Sequence, residues 1–378
     1  MKIVFTGGGT GGHFYPLVAV ASEINDIVEK RNLIRPELFY VSNAPYDEML
    51  LYQHEMQYKH IMAGKMRRYV SLKNGFDFFK TLIGVPSAMA LLFKIYPDVV
   101  FSKGGYVSVP VVFAARILRI PVFIHDSDAI PGRANLWAGK FATRIAVSYP
   151  EAADFFPKHK KRIACVGNPI RKRIAIPTTK GAHDHFGFSS DVPTILILGG
   201  SQGAEKINST MHMAIKELLK NYQVIHQIGK NNFDSFKELI SVELEGDEHI
   251  DRYKAFPFLD EVDLKYAAGC ANIIISRAGS GSIFEIASWG KPSILVPIPE
   301  NVSRDQRKNA YAYAREGACE VIDQENFSPH VVVAEVNRIL QDHALMEKMQ
   351  KSAKAFAKPD AAKHIAQELV KMMLEHEK

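Results

Sequence analysis

The sequence predicts an α/β protein built from two doubly wound parallel-sheet domains. Short apolar runs with polar ends alternate with helical stretches along the chain. A strand, glycine loop and helix open the chain in "KIVFTGGGTGGHFYPLVAVASEI", and the pattern restarts in "PTILILGGSQGAEKINSTMHMAIKELL". The 378 residues, 47% hydrophobic and 23% charged, are enough for two sizeable cores.

In order, "KIVFT" is a β-rich run that ends in glycine. "FYPLVAVASEINDIVEK" has helical spacing, and Pro16 suits a first helical turn. "LFYVS", "DVVFSKGG", "PVFIHD" and "RIAVS" follow as strands. Gly167 and Pro169 interrupt the pattern, which predicts a first domain over 1–165 and a second over 166–350. The second continues with "YQVIHQIG", "YKAFPFL", "ANIIISRAG" and "PSILVPIP". Residues 351–378 are expected to form a C-terminal helix that packs back on the first domain, since "DAAKHIAQELVKMMLEHEK" is amphipathic. Open α/β sheets bind ligands beyond the carboxyl ends of their strands, so two such domains face to face predict a cleft lined by both sets of loops.

Composition narrows the function. Three cysteines (Cys165, Cys270, Cys319) without a CxxC pair argue against a disulfide scaffold or a zinc site and fit a reducing compartment. The N-terminus lacks the plan of a signal peptide. No apolar run approaches the roughly 18 residues that span a bilayer, so any lipid-facing role is expected to be peripheral. The net charge of +6 is uneven: residues 1–165 carry +8 and the remainder −2. The excess is densest at Lys59, Lys65, Arg67, Arg68, Lys73 and Lys80, which predicts an anionic partner or a solvated face.

Gly7, Gly9 and Gly12 spell G-x-G-x-x-G, yet the expected acid after the second strand is not placed; "ELFYVSN" ends in Ser42 and Asn43. A Walker lysine is absent too. The glycines let the backbone approach a ligand, and the helix start offers N–H groups to an anion. His13 sits where the dipole disfavours an imidazolium, which suits a neutral, proton-accepting ring; a hydrogen-bonded loop histidine is the plainer alternative. Ser201 and the "GGSQGA" amides suit a phosphate, and a carboxylate at Glu285, early in the helix of "SRAGSGSIFE", can take both hydroxyls of a ribose.

Together, "GGTGGHFYP", "SKGGYVSVP", "HDSDAIPGRAN", "GNPIR", "GGSQGA", "SRAGSGSIFEIASWGKPSILVPIP" and "DQRKNA" resemble the MurG family in order and approximate spacing, from residue 6 to about 310. The resemblance implies the GT-B fold: two Rossmann-like domains facing a central cleft. It implies an inverting transfer of N-acetylglucosamine from UDP-GlcNAc to the C4 hydroxyl of a muramoyl-pentapeptide on undecaprenyl pyrophosphate, turning lipid I into lipid II in peptidoglycan synthesis. It also implies residue roles. Thr10, Gly11 and Gly12 match the loop where the diphosphates approach, and His13 matches the proposed catalytic base. Gly104, Gly105 and Tyr106 match a loop implicated in acceptor binding. Arg171, Ser201 and the neighbouring Gln202 and Gly203 match donor-diphosphate contacts. Leu259 matches the position whose backbone reads uracil. Ser280, Gly281, Ser282 and Glu285 match the segment along phosphates and ribose, and Gln306 a contact to the sugar.

Two departures stand out. The family commonly has His-Glu-Gln-Asn where this chain has His125-Asp126-Ser127-Asp128, which leaves the base open between His13 and Asp128. Arg304-Asp305-Gln306 keeps the glutamine but changes its neighbour. Asp126-Ser127-Asp128 spells DxD by letters only, so neither a metal nor another cofactor is expected. The lipid acceptor that the resemblance implies requires a membrane-facing surface, hence a peripheral protein on the cytoplasmic face of a bacterial membrane; basic residues interleaved with Phe76, Phe78, Phe79, Leu82 and Ile83 suit an anionic inner-leaflet surface, with ordinary core the plainer alternative for these aromatics. The rival readings are a diacylglycerol glycosyltransferase, a UDP-GlcNAc 2-epimerase and, least supported, a nucleic-acid binder, for which no recognition motif is present.

Overall fold

The computed structural model describes all residues except Gly9, 65–71, Ser201, Gln202, Asn301, Ser303 and 377–378, and except the side chains of 72–82, 158, 159, 304 and 376. The chain forms two compact units, Met1–Arg171 with Lys358–Lys378, and Lys172–Ala357.

Unit 1 runs β1 (Lys2–Thr6), α1 (Gly11–Lys30), β2 (Glu37–Ser42), α2 (Glu48–Gln53), β3 (Met56–His60), α3 (Leu72–Ile95), β4 (Val99–Ser102), α4 (Ser108–Ile117), β5 (Val122–Asp126), α5 (Arg133–Ala138), β6 (Arg144–Val147) and β7 (Ile163–Cys165). Its described strands make a parallel sheet in the order β3-β2-β1-β4-β5-β6-β7. The order reverses between β1 and β4, which pair directly with Phe5 opposite Phe101. Both faces are covered, as an all-parallel sheet requires. Ile3 and Phe5 pack into the cluster built on α1, while Val4 points into the one built on α3 and α4.

Unit 2 runs α6 (Lys172–Ala175), α7 (Ala182–Phe186), β8 (Thr194–Leu198), α8 (Glu205–Leu219), β9 (Gln223–Gln227), α9 (Phe233–Glu243), β10 (Tyr253–Phe256), α10 (Glu261–Cys270), β11 (Ala271–Ser276), α11 (Ser280–Trp289), β12 (Ser293–Leu295), α12 (Arg304–Arg315), β13 (Cys319–Val321), α13 (Pro329–Gln341) and α14 (His343–Phe356). Its sheet order, β10-β9-β8-β11-β12-β13, again reverses beside the first strand. The last helix, α15 (Ala361–His376), returns to unit 1, where Ile365, Leu369 and Met373 are buried with α1.

Three expectations change. The units divide after Arg171 rather than after residue 165, because β7 stays paired to β6 and Gly167 stays bonded to His125. Residues 351–378 are two helices rather than one: α14 ends at Phe356 and α15 starts at Ala361, past Pro359. Pro16 lies inside α1, since the helix begins at Gly11. It therefore has no N–H to give the Gly12 carbonyl.

Candidate active site

In unit 1 the two glycine loops meet at the reversal between β1 and β4. Lys103 N donates to the Thr6 carbonyl at 2.9 Å, which holds the loop ends side by side. Thr10 is the N-cap of α1, with extended φ −153° and ψ 158°. Its hydroxyl does not cap the backbone but lies 3.0 Å from His13 Nδ1. The opposite edge of the ring faces the second loop: a Cβ on Gly105 would lie 3.6 Å from His13 Nε2 and 3.2 Å from the Gly8 carbonyl. Gly104 and Gly105 both have φ +79°, and a Cβ on Gly104 would strike the Asn135 amide at 2.8 Å, so both positions require glycine. Tyr106 accepts from Asn43 Nδ2 at 3.2 Å. Gly11 lies against Tyr15 and Tyr46, whereas Gly12 is exposed. Burial, then the Lys103 charge, lower the pKa of half-buried His13 to about 4. The ring is neutral at physiological pH.

Arg171 stands at the end of unit 1 with its guanidinium 4.2 Å from the Tyr15 ring centroid. The 166–350 boundary would have put it in the other domain. Asp126 ends β5, and its carboxylate accepts from Asp128 N (3.1 Å), Gly132 N (3.0 Å) and Asn135 Nδ2 (2.8 Å). Its two oxygens hold the bend at 126–132, where a DxD reading would have needed them for a metal.

Sequence reasoning passed over Lys103, His125 and Asn168. Lys103 is 2% exposed. Its Nζ donates to His125 Nδ1, to Ser127 Oγ at 2.5 Å and to Asn168 Oδ1 at 3.3 Å. His125 Nε2 donates to the Gly167 carbonyl at 2.9 Å, which fixes Nδ1 as the acceptor. Burial, outweighing the pull of Asp126 and Asp128, lowers the pKa of Lys103 from the ordinary lysine range. A lysine directly after an apolar strand was the available signal, but its partners lie 22 and 65 residues away.

In unit 2 the loops after β8 and β11 meet at the equivalent reversal. Ser201 and Gln202 lie outside the described residues. Gly203 precedes Ala204, the N-cap of α8, and packs against Asn232 and the Ile228 carbonyl. Gly279 caps α11, whose first turn holds Ser280, Gly281 and Ser282; a Cβ on Gly279 or Gly281 would meet nothing within 4 Å. Glu285 follows on α11, half-buried. Leu259 is buried, and its N–H donates to Gln227 Oε1 at 3.0 Å. Gln306, on α12, accepts from Ile298 N at 3.2 Å through its Oε1, which leaves the amide nitrogen as its donor.

Each unit thus carries a pair of strand-end loops at its sheet reversal, the arrangement that binds nucleotides or other anions in open α/β sheets. Residues 3–147 match the N-terminal domain of glycosyltransferase family 28, and 194–365 match its C-terminal domain. A Treponema denticola UDP-N-acetylglucosamine–N-acetylmuramyl-(pentapeptide) pyrophosphoryl-undecaprenol N-acetylglucosamine transferase is 36% identical over 346 residues, 90% of this chain and 87% of that protein. A Bacillus cereus relative of the same description, numbered 2, is 35% identical over 97% of this chain and 99% of its own. The crystal structure of Acinetobacter baumannii MurG superposes with a TM-score of 0.72 at 25% identity, covering 98% and 99% of the two chains. Neisseria meningitidis UDP-GlcNAc 2-epimerase shares the fold, with a TM-score of 0.68 at 18% identity over 98% and 100%. The chain belongs to the MurG family of GT-B N-acetylglucosaminyltransferases.

Proposed function

We infer that this enzyme transfers N-acetylglucosamine from UDP-GlcNAc to the muramoyl C4 hydroxyl of lipid I, producing lipid II for the cell wall. The observation that carries the reading is full-length similarity to transferases of that description, joined to a neutral histidine on the lip of the unit 1 glycine loops. In this reading unit 2 holds the donor. The first turn of α11 approaches the phosphates, where helix N–H groups meet negative charge without a Cβ in the way. Glu285 takes the ribose hydroxyls, the Leu259 backbone reads uracil and the Gln306 amide contacts the sugar.

His13 takes the acceptor proton at Nε2 when Nδ1–H donates to Thr10 Oγ1. The substrate diphosphates oppose the Lys103 charge and raise the basicity of the ring as they bind. The Gly203–Ala204 helix start stabilises the departing UDP. We propose that no metal takes part: Asp126 is committed to its bend, and the leaving charge is met by helix N–H groups.

The lipid acceptor calls for a membrane surface. Residues 65–71 and the side chains of Phe76, Phe78, Phe79 and Leu82 lie outside the described part. Among the described residues, Ile83, Phe93 and Tyr96 on and after α3 and Phe113 and Ile117 on α4 are exposed. Arg116 lies 5.2 Å over the Phe141 ring, and Phe113 stacks on Trp137 at 6.0 Å. Exposed aromatics and aliphatics on α3 and α4, with Arg116 among them, suit peripheral binding to anionic headgroups on the cytoplasmic leaflet. Among the described residues no helix is long and apolar enough to cross a membrane.

Mass spectrometry together with NMR of the product tests the reading. A lipid I analogue should gain one β-linked N-acetylhexosamine. Glycosylated diacylglycerol, or N-acetylmannosamine formed without an acceptor, would reveal one of the rival enzymes.

A further inference from the structure

The Lys103 cluster joins three strand ends of unit 1. Lys103 follows β4, Ser127 and Asp128 follow β5, and Asn168 follows β7. An ammonium has three N–H donors, and His125 Nδ1, Ser127 Oγ and Asn168 Oδ1 take all three. Ser127 Oγ in turn donates to Asn168 Oδ1 at 2.9 Å. Asp126, fixed by Asn135 and two backbone N–H groups, and Asp128 supply the counter-charge. The Asn168 turn runs directly into Arg171, and the next residue after Lys103 begins the glycine pair that faces His13.

Building on the transferase reading, we propose that Lys103 is a positioning residue for the reaction. Its ammonium clamps the Ser127–Asp128 bend and the Gly167–Asn168 turn to the glycine loop, and so sets where Asp128 and Arg171 stand relative to His13. A neutral side chain would leave Nδ1 of His125, Ser127 and Asn168 without their shared donor and two carboxylates without their cation. The charged and titratable groups around Lys103 are His125 and Asp126 from β5, Asp128 from the bend and His13 from α1. Because the Lys103 charge disfavours protonated His13, removing it raises the pKa of His13.

The test is steady-state kinetics against pH for wild type, Lys103→Met and Lys103→Arg, with UDP-GlcNAc and a lipid I analogue. Lys103→Met should lose roughly 10–100-fold in kcat. Its KM for UDP-GlcNAc should stay near that of wild type, and the acid limb of its kcat/KM profile should move up by about one pH unit. Lys103→Arg keeps the charge, so its acid limb should stay in place. Wild-type kcat in Lys103→Met, or equal losses and identical acid limbs in both variants, would overturn the proposal. If Lys103→Met does not fold, Lys103→Gln, which keeps an N–H donor but not the charge, is judged by the same criteria; failure of that variant to fold makes Lys103 a fold determinant only and also overturns the proposal. Absence of transfer by wild type would instead refute the transferase reading.

Discussion

The two units share a plan and differ in what they bury beneath it. In each, glycine loops end the two strands that flank the sheet reversal, β1 and β4 in one, β8 and β11 in the other. Unit 1 sets ionisable groups under its loops: Lys103, His125 and Asp126, with His13 above. Beneath the unit 2 loops, His226 donates from Nε2 to Asn208 Oδ1 and accepts from Tyr253 OH at Nδ1, and burial lowers its pKa to about 3. That ring stays neutral without a charged partner. In the proposed reading one fold does two jobs: unit 1 sets a buried lysine cluster beneath a proton acceptor, while unit 2 offers open helix starts to a nucleotide, with the half-buried Arg277 directly after β11.

The contrast can be broken from either side. The largest effect is expected at His13→Ala, which should cut kcat by roughly 10²–10⁴ while UDP affinity measured by calorimetry is unchanged. Full retention of kcat would remove His13 as the base. Next comes Leu369→Ala in α15. The side chain is fully buried against α1, and its loss should cost unit 1 about 2–5 kcal/mol in denaturant unfolding. UDP binding by unit 2 should persist, and its loss would show the donor site to depend on the other unit.

Glu285→Gln should weaken donor binding by roughly 10–100-fold, the range of a charged hydrogen bond, with a smaller change in kcat. An effect on kcat alone would move Glu285 from holding the donor to the chemistry. The smallest effect needs no mutation. An ordinary histidine gains its proton near pH 6.5, whereas the free-enzyme pKa of His13 is about 4. The neutral, proton-accepting form therefore persists as pH falls. kcat/KM should hold from pH 7 to about 5 before it declines, and a decline centred near 6.5 would place the ring in solvent.

Much of this was legible because each unit announces itself with an apolar strand that runs into glycines. β3, β7 and β13 were not. Among the described strands "MQYKH" pairs only with β2, and only Met56 is buried, so it carries no apolar run. "IAC" and "CEV" are three-residue edge strands, too short for a period. The loop residues were found by their order along the chain, but Lys103 and Asn168 gain meaning only when three strand ends meet. Asp126 taught the reverse lesson: letters that spell a metal motif belong to a carboxylate that three N–H groups already hold.

The most direct test of the account is UDP release from UDP-GlcNAc by the purified protein, followed with and without a soluble lipid I analogue. The account predicts release that depends on the analogue, saturates with it and collapses in His13→Ala. Release that is independent of the analogue, or none with any lipid I analogue, would contradict it.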